Sequence, residues 1–275
     1  MKLKDRVAVV TGTSPNIGGG IAEALAVEGA AIVAVDANAA NAKDCASYIK
    51  STGGRALGLT CDVADEAQVK AAVDAALAEF GRVDVLVNNA AFFNKKGVLD
   101  MPFDEWNKQT GVILGGAFLF TKYAAKAMQA QGTGRGGVVI NIISTAGHQG
   151  EPGNIAYSTA KCGLLNFTRS AAMELVGHGI RVVSLTPTAT DPAESFERAA
   201  RWGRSVKKPE SLDRVMRPFR EGIPMKKLPL PSDYGRAAAF LASDDAAMIT
   251  GTDLRVDAGA IARYWAWEPK AGATL

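Results

Sequence analysis

Short β-branched runs alternate with longer alanine-rich stretches along this whole chain, and that order limits the fold more than any single motif does. The runs RVAVVTG (6–12), AIVAVD (31–36), ALGLTCDV (56–63), VDVLVNNA (83–90), GVVINII (137–143), IRVVSLT (180–186) and DLRV (253–256) read as strands. Helical patterns fill 18–28, 38–52, 65–80, 103–130, 154–177 and 233–243. Several strands are apolar almost throughout, as strands of a parallel sheet covered on both faces must be. Strand, helix, strand, repeated, predicts an α/β fold with a doubly wound parallel sheet and helices on both faces. The 275 residues, 48% of them hydrophobic, suit a single domain. Residues 187–232 break the rhythm and read as an insertion within that domain, and 260–275 read as a C-terminal tail.

Composition narrows the function. A net charge of +3 is too small to point to nucleic acid or a membrane surface. The opening MKLKDRVAVVTG enters a strand pattern at once, unlike a signal peptide, and no apolar run is long enough to span a bilayer. Cys45, Cys61 and Cys162 lack metal-ligand or redox-pair spacing, and His148 and His178 are far apart. The expectation is a cytoplasmic protein with no metal, acting on a small molecule.

The first strand runs into TGTSPNIGGGIA (11–22). A glycine-rich turn between a strand and a helix lets backbone N–H groups approach a pyrophosphate, which makes Gly12, Asn16, Ile17 and Gly18 candidate cofactor contacts. Asp36 ends the second strand, where a carboxylate accepts from both adenine-ribose hydroxyls and repels a 2′-phosphate. NAD is therefore expected over NADP. Asp62 and Val63 close the third strand and Asn89 and Ala90 the fourth, at the same sheet edge.

The order of the glycine turn, Asp36, "DV", "NNA", Ser144, YSTAK (157–161) and a Pro–Thr turn after the sixth strand resembles the short-chain dehydrogenase/reductase family, over about residues 5 to 260. The resemblance implies a Rossmann-type fold and an NAD-dependent oxidoreductase that interconverts a secondary alcohol and a ketone. It assigns catalysis to Ser144, Tyr157 and Lys161, gives Tyr157 and Lys161 a second role in binding the cofactor, and places Pro187 and Thr188 beside the nicotinamide. It also implies a homotetramer or dimer built on the helices at 103–130 and 154–177.

The chemistry explains these residue types. Removing a hydroxyl proton as hydride departs needs a base, and a tyrosine with its ordinary pKa of about 10 is a poor one. A nearby lysine ammonium is expected to lower it, so that Tyr157 serves as acid and base, while Ser144 steadies the charge on the substrate oxygen.

Several positions depart from the family pattern. Asn16 stands at the middle glycine of the turn, where asparagine's tolerance of positive φ is expected to preserve the geometry. Gly20 replaces an alanine, Ala91 and Thr188 replace glycines near the nicotinamide, and Ala258 falls in VDAG. Ile113, seven residues after Trp106, occupies the place of an asparagine that helps hold a water beside the lysine. Gln109, Thr110 or a backbone carbonyl are the substitutes to look for.

Two features bear on substrate. Residues 194–227 hold ten Lys/Arg and five Asp/Glu, against 21 and 23 in the rest. One reading is an anionic substrate facing Arg198, Arg201 and Arg204; the other is a helix pair with solvated basic faces. Phe92, Phe93, His148, Gln149 and Trp202 are candidate substrate residues, and their apolar character suits a cyclic or aromatic alcohol or ketone. The tail's aromatics read as subunit packing. An oxoacyl-thioester reductase, a sugar dehydrogenase and a dinucleotide-binding regulator with little turnover remain alternatives.

Overall fold

A computed structural model describes residues 1–132 and 136–264; Trp265 and Trp267 of the tail lie outside them. Seven strands form one sheet: β1 (Val7–Thr11), β2 (Ala31–Asp36), β3 (Ala56–Thr60), β4 (Val85–Asn88), β5 (Gly137–Ile142), β6 (Ile180–Pro187) and β7 (Asp253–Val256). Their spatial order is β3-β2-β1-β4-β5-β6-β7, and neighbours are paired in parallel. The winding reverses between β1 and β4. That reversal opens a crevice beyond the carboxyl ends of the strands.

Successive strand residues point to opposite faces, and this divides the core in two. Ala8 and Val10 of β1 join Ile32 and Ala34 of β2 under α1 (Ile17–Val27), α2 (Ala39–Ser51) and a late helix, Pro231–Ala242. Val7, Val9, Val33 and Val35 face the other way, toward α3 (Glu66–Phe80) and Phe120 and Ala124. Helix ends follow local chemistry. Asn38 caps α2 through Ala40 N–H, Asp65 caps α3 through Ala67 and Gln68 N–H, and α3 stops at Gly81 in the left-handed region.

The helix expected over 103–130 is interrupted. It consists of α4 (Phe103–Thr110), a π turn over Gly111–Gly115, and α5 (Gly116–Ala130). GVILGG carries three glycines, weak helix formers that tolerate the wider turn. The π turn presents Val112 to the crevice and buries Ile113. On the same side of the sheet, α6 (Ile155–Leu175) follows β5.

Residues 187–232 contain α7 (Ala193–Arg201) and α8 (Leu212–Gly222), ahead of α9 (Pro231–Ala242). Gly20 now has a physical reason. A Cβ there would lie 2.8 Å from Pro231 Cβ, so the glycine lets α9 close on α1. Ala258, where the family pattern has glycine, adopts φ +51°, at a cost of about 1 kcal/mol. Among the described residues, no helix is long and apolar enough to cross a membrane.

Candidate active site

The carboxyl ends of β1 to β6 border one cavity of about 620 Å³. Gly12, with φ +71°, turns the chain out of β1, and its N–H donates to the Val35 carbonyl at 2.7 Å. A Cβ on Gly12 would come within 2.8 Å of Ala90 Cα, and one on Gly18 within 2.0 Å of the Gly12 carbonyl oxygen. Asn89 laces this turn to β4, donating from Nδ2 to the carbonyls of Thr11 (3.0 Å) and Gly12 (2.8 Å). Thr11 Oγ1 accepts in return from Asn89 and Ala90 N–H. Ile17 and Gly18 bring the N-terminus of α1 to the cavity wall. This close-packed cradle, ending on the N-terminus of α1, fits a dinucleotide pyrophosphate.

Asn16 keeps the turn, but not by the expected route. Its φ is −91°, an ordinary value for any residue, and its Oδ1 accepts from Ser195 Oγ at 3.2 Å. At the far end of the cavity Asp36 is 9% exposed. Its Oδ1 accepts from Asn38 N–H at 2.8 Å, and the Asn41 side chain bonds it as well. Burial raises the Asp36 carboxyl above its ordinary 3.8, while those two bonds and Arg204 pull it back. Asp62, Val63 and Pro187 complete the wall expected for a cofactor; Thr188 does not reach it, its carbonyl instead accepting from Thr190 Oγ1.

At the chemical end, Tyr157 and Lys161 lie one turn apart on α6 and share the cavity with Gly12 and Asp36. The Ser144 hydroxyl bonds the tyrosine hydroxyl, and Ser144 Oγ also accepts from Ala146 N–H at 3.2 Å. Burial raises the Tyr157 phenol above its ordinary 10, with Ser144 opposing and Glu151 adding to the rise. Burial lowers Lys161 itself to about 7; its Nζ meets the Ile142 carbonyl at 2.6 Å and the face of the Tyr157 ring at 5.7 Å from the centroid.

Ile113 is buried against Ile143, Ala160 and Leu164, with Tyr157 at the edge of the same cluster. Neither proposed side-chain substitute turns to Lys161. Gln109 Nε2 donates to Asn94 Oδ1, and Thr110 Oγ1 to the Trp106 carbonyl. The lysine Nζ instead donates directly to the Ile142 carbonyl at 2.6 Å.

The expected substrate residues separate into two groups. Phe92 and Phe93 line the cavity, and the Phe93 ring lies 5.4 Å from the Tyr157 ring. His148 does not join them: its Nε2 lies 3.0 Å from Thr186 Oγ1 and 3.3 Å from Asp253 Oδ2, turned toward β6 and β7. Gln149 is exposed and off the cavity wall. Trp202 packs in the core against Gly19, its indole donating to Glu23 at 3.0 Å.

The arginines behave like Trp202. Arg198 pairs with Glu23 and Glu194, Arg201 with Glu23, and Arg204 with Asp44. Their charges hold α7 and the residues after it against α1 and α2, so the anionic reading loses the residues that motivated it. Sequence reasoning also passed over Asn41, Lys108 and Val112, which line the cavity. Lys108 and Val112 stand at i and i+4, the spacing of one helix face, which was the available signal.

A family model described as enoyl-(acyl carrier protein) reductase matches residues 12–260. A D-threitol dehydrogenase of Mycolicibacterium smegmatis is 36% identical over 94% of this chain and 94% of its own length. A cis-4-hydroxycyclohexanecarboxylate dehydrogenase of Sinomonas cyclohexanicum is 37% identical over 93% of this chain and 96% of that one. The crystal structure of a short-chain type dehydrogenase/reductase from Mycobacterium marinum superposes with a TM-score of 0.82 at 28% identity, covering 95% and 97% of the two chains. The chain therefore belongs to the short-chain dehydrogenase/reductase family of oxidoreductases, which use nicotinamide cofactors.

Proposed function

We propose that this chain is an NAD-dependent dehydrogenase that interconverts a secondary alcohol and a ketone on a cyclic or aromatic small molecule. The observation that carries the reading is a single cavity bordered by the glycine cradle and Asp36 at one end and by Tyr157, Lys161 and two phenylalanines at the other. Asp36 supports NAD: its carboxylate, ordered by Asn38 and Asn41, suits two ribose hydroxyls and repels a phosphate.

Bound NAD supplies the hydride acceptor and a positive ring. The chain's own groups handle the proton. The Tyr157 hydroxyl, kept protonated at neutral pH by burial, donates that proton to a ketone oxygen in reduction; in oxidation it first gives the proton up, toward Lys161 and solvent, and the phenolate so formed receives the alcohol proton as hydride leaves. Ser144 Oγ–H bonds the same substrate oxygen. Lys161, held to about 7, exchanges a proton near neutral pH and carries charge toward the phenol. The relatives named for threitol and for a hydroxycyclohexane acid support an alcohol substrate. We also place the enzyme in the cytoplasm, which its three free cysteines suit, as a dimer or tetramer using exposed Phe118 on α5 and Met173 on α6.

Tyr157→Phe tests the chemistry. Turnover of a cyclic alcohol with NAD should fall by about 10³-fold, within the range that acid–base catalysis contributes, while NADH affinity, read by its fluorescence, changes by less than about threefold. Retained turnover in that variant would overturn the assignment.

A further inference from the structure

Two cations line the cavity, Lys161 and Lys108. Lys108 stands in the last turn of α4, exposed, and its Nζ lies 5.1 Å from the Phe92 ring centroid. No carboxylate among the described residues forms an ion pair with it. Glu105, one turn back, is taken by Lys96 at 2.6 Å and by Asn94. Asn94 is tied in turn to buried Gln109, so the loop that carries Phe92 and Phe93 is fixed to α4 beside Lys108. The cavity's acidic residues, Asp36 and Asp62, follow β2 and β3 at the adenosine end.

Phe92 and Phe93 remain 38% and 56% exposed, side by side on the cavity rim. Large apolar side chains left open beside an unpaired charge mark a place for a ligand that is itself part apolar and part charged. Along this wall Lys108 Nζ stands over the Phe92 ring, and the ring of the next residue, Phe93, packs beside that of Tyr157. A ring that reacts at Tyr157 thus shares one cavity wall with two aromatic side chains and a cation.

We propose that Lys108 anchors a carboxylate on the substrate, so that the preferred substrate is a ring alcohol or ketone bearing an organic anion remote from the reacting carbon. This rests on the proposed alcohol–ketone reaction and assigns its substrate class. It also restores the anionic reading at a different residue from the arginines that first suggested it.

The test compares 4-hydroxycyclohexanecarboxylate with its methyl ester, using the wild-type enzyme, Lys108→Met and Lys108→Arg with NAD. The wild type should prefer the carboxylate in kcat/KM by about tenfold or more, the effect of one charge-assisted contact. Lys108→Met should erase that preference through KM, and Lys108→Arg should keep most of it. In parallel, cyclohexanecarboxylate binding to the enzyme–NADH complex is read by fluorescence, which needs no turnover. It should weaken by about tenfold in Lys108→Met. An unchanged carboxylate-to-ester ratio with unchanged cyclohexanecarboxylate binding overturns the inference. So does a tenfold loss of NADH affinity in Lys108→Met, which would give the cation to a cofactor phosphate. Failure of the alcohol–ketone reading alone looks different: neither alcohol turns over, yet cyclohexanecarboxylate still binds in a Lys108-dependent way.

Discussion

Arg198 and Lys161 are equally buried, each 2% exposed, and the chain treats them in opposite ways. Arg198 lies between two carboxylates, with Glu194 at 2.6 Å and Glu23 at 3.0 Å, and also donates to the Pro15 carbonyl at 3.1 Å. Lys161 has one carbonyl and the face of the Tyr157 ring, and no carboxylate among the described residues pairs with it. A guanidinium cannot shed its proton in a protein, so it must be given counter-charges. An ammonium can, and burial brings it to about 7. The first arrangement fixes the insertion to the cofactor turn, and the second leaves a proton free to move where the chemistry is.

Removing each cation should separate the two cases. Arg198→Met takes from partly buried Glu23 and Glu194 the cation they share and is expected to destabilise the fold by about 3 kcal/mol, the low end of the range for breaking a buried ion pair because Arg201, Trp202 and Ser232 still bond the two carboxylates. Denaturant unfolding of the variant measures this. A loss below about 1 kcal/mol would mean that Arg201 and solvent already satisfy Glu23, and the contrast would fail.

Lys161→Met should do the reverse. In the folded chain the ammonium is held less well than its ordinary 10.5, so unfolding takes up a proton between about pH 7 and 10.5. Wild-type stability therefore rises with pH across that window, and below it the full cost of the buried charge is present. With the lost Ile142 bond set against that cost, the methionine variant is expected to be more stable at pH 7 by about 2–3 kcal/mol. The gain should shrink toward zero as pH approaches 10.5, while turnover is lost throughout. Equal stability at pH 7 would mean that Lys161 is not confined as the geometry indicates.

The contrast also explains what the sequence could and could not tell. β1 to β7 were legible because their apolar runs are local and continuous, and the gathering of Gly12, Asp36, Tyr157 and Lys161 around one cavity because strand ends and a family motif mark them in the sequence. Arg198, Arg201 and Trp202 were misread because their partner, Glu23, is more than 170 residues away in the chain. Charge counts over a window cannot register a counter-charge supplied by another helix. The π turn escaped for a related reason: a glycine-rich helical pattern has the same periodicity whether its turns close at four residues or five. His148 is adjacent to the motif but was drawn aside by Asp253, on a strand that pairs only in the folded sheet.

Asp36 extends the comparison to a buried anion. It has two polar donors, Asn38 N–H and the Asn41 side chain, and no carboxylate-matching pair as close as those around Arg198. Like Lys161, it is left able to respond to what binds. Asp36→Ala is expected to weaken NADH binding by about tenfold, or about 1.4 kcal/mol, and to bring NADPH affinity up to or above that of NADH. Fluorescence titrations with the two reduced cofactors measure both. Because burial lifts the Asp36 carboxyl above 3.8, the proposed preference for NADH should fade on acidification sooner than it would for an exposed aspartate, and that pH dependence should be absent from the alanine variant. An unaltered preference in Asp36→Ala would reduce this carboxylate to a cap on the loop into α2. The discrimination would then have to come from Asn41, whose Oδ1 accepts from Arg204 at 2.8 Å and so aims its amide N–H groups toward Asp36.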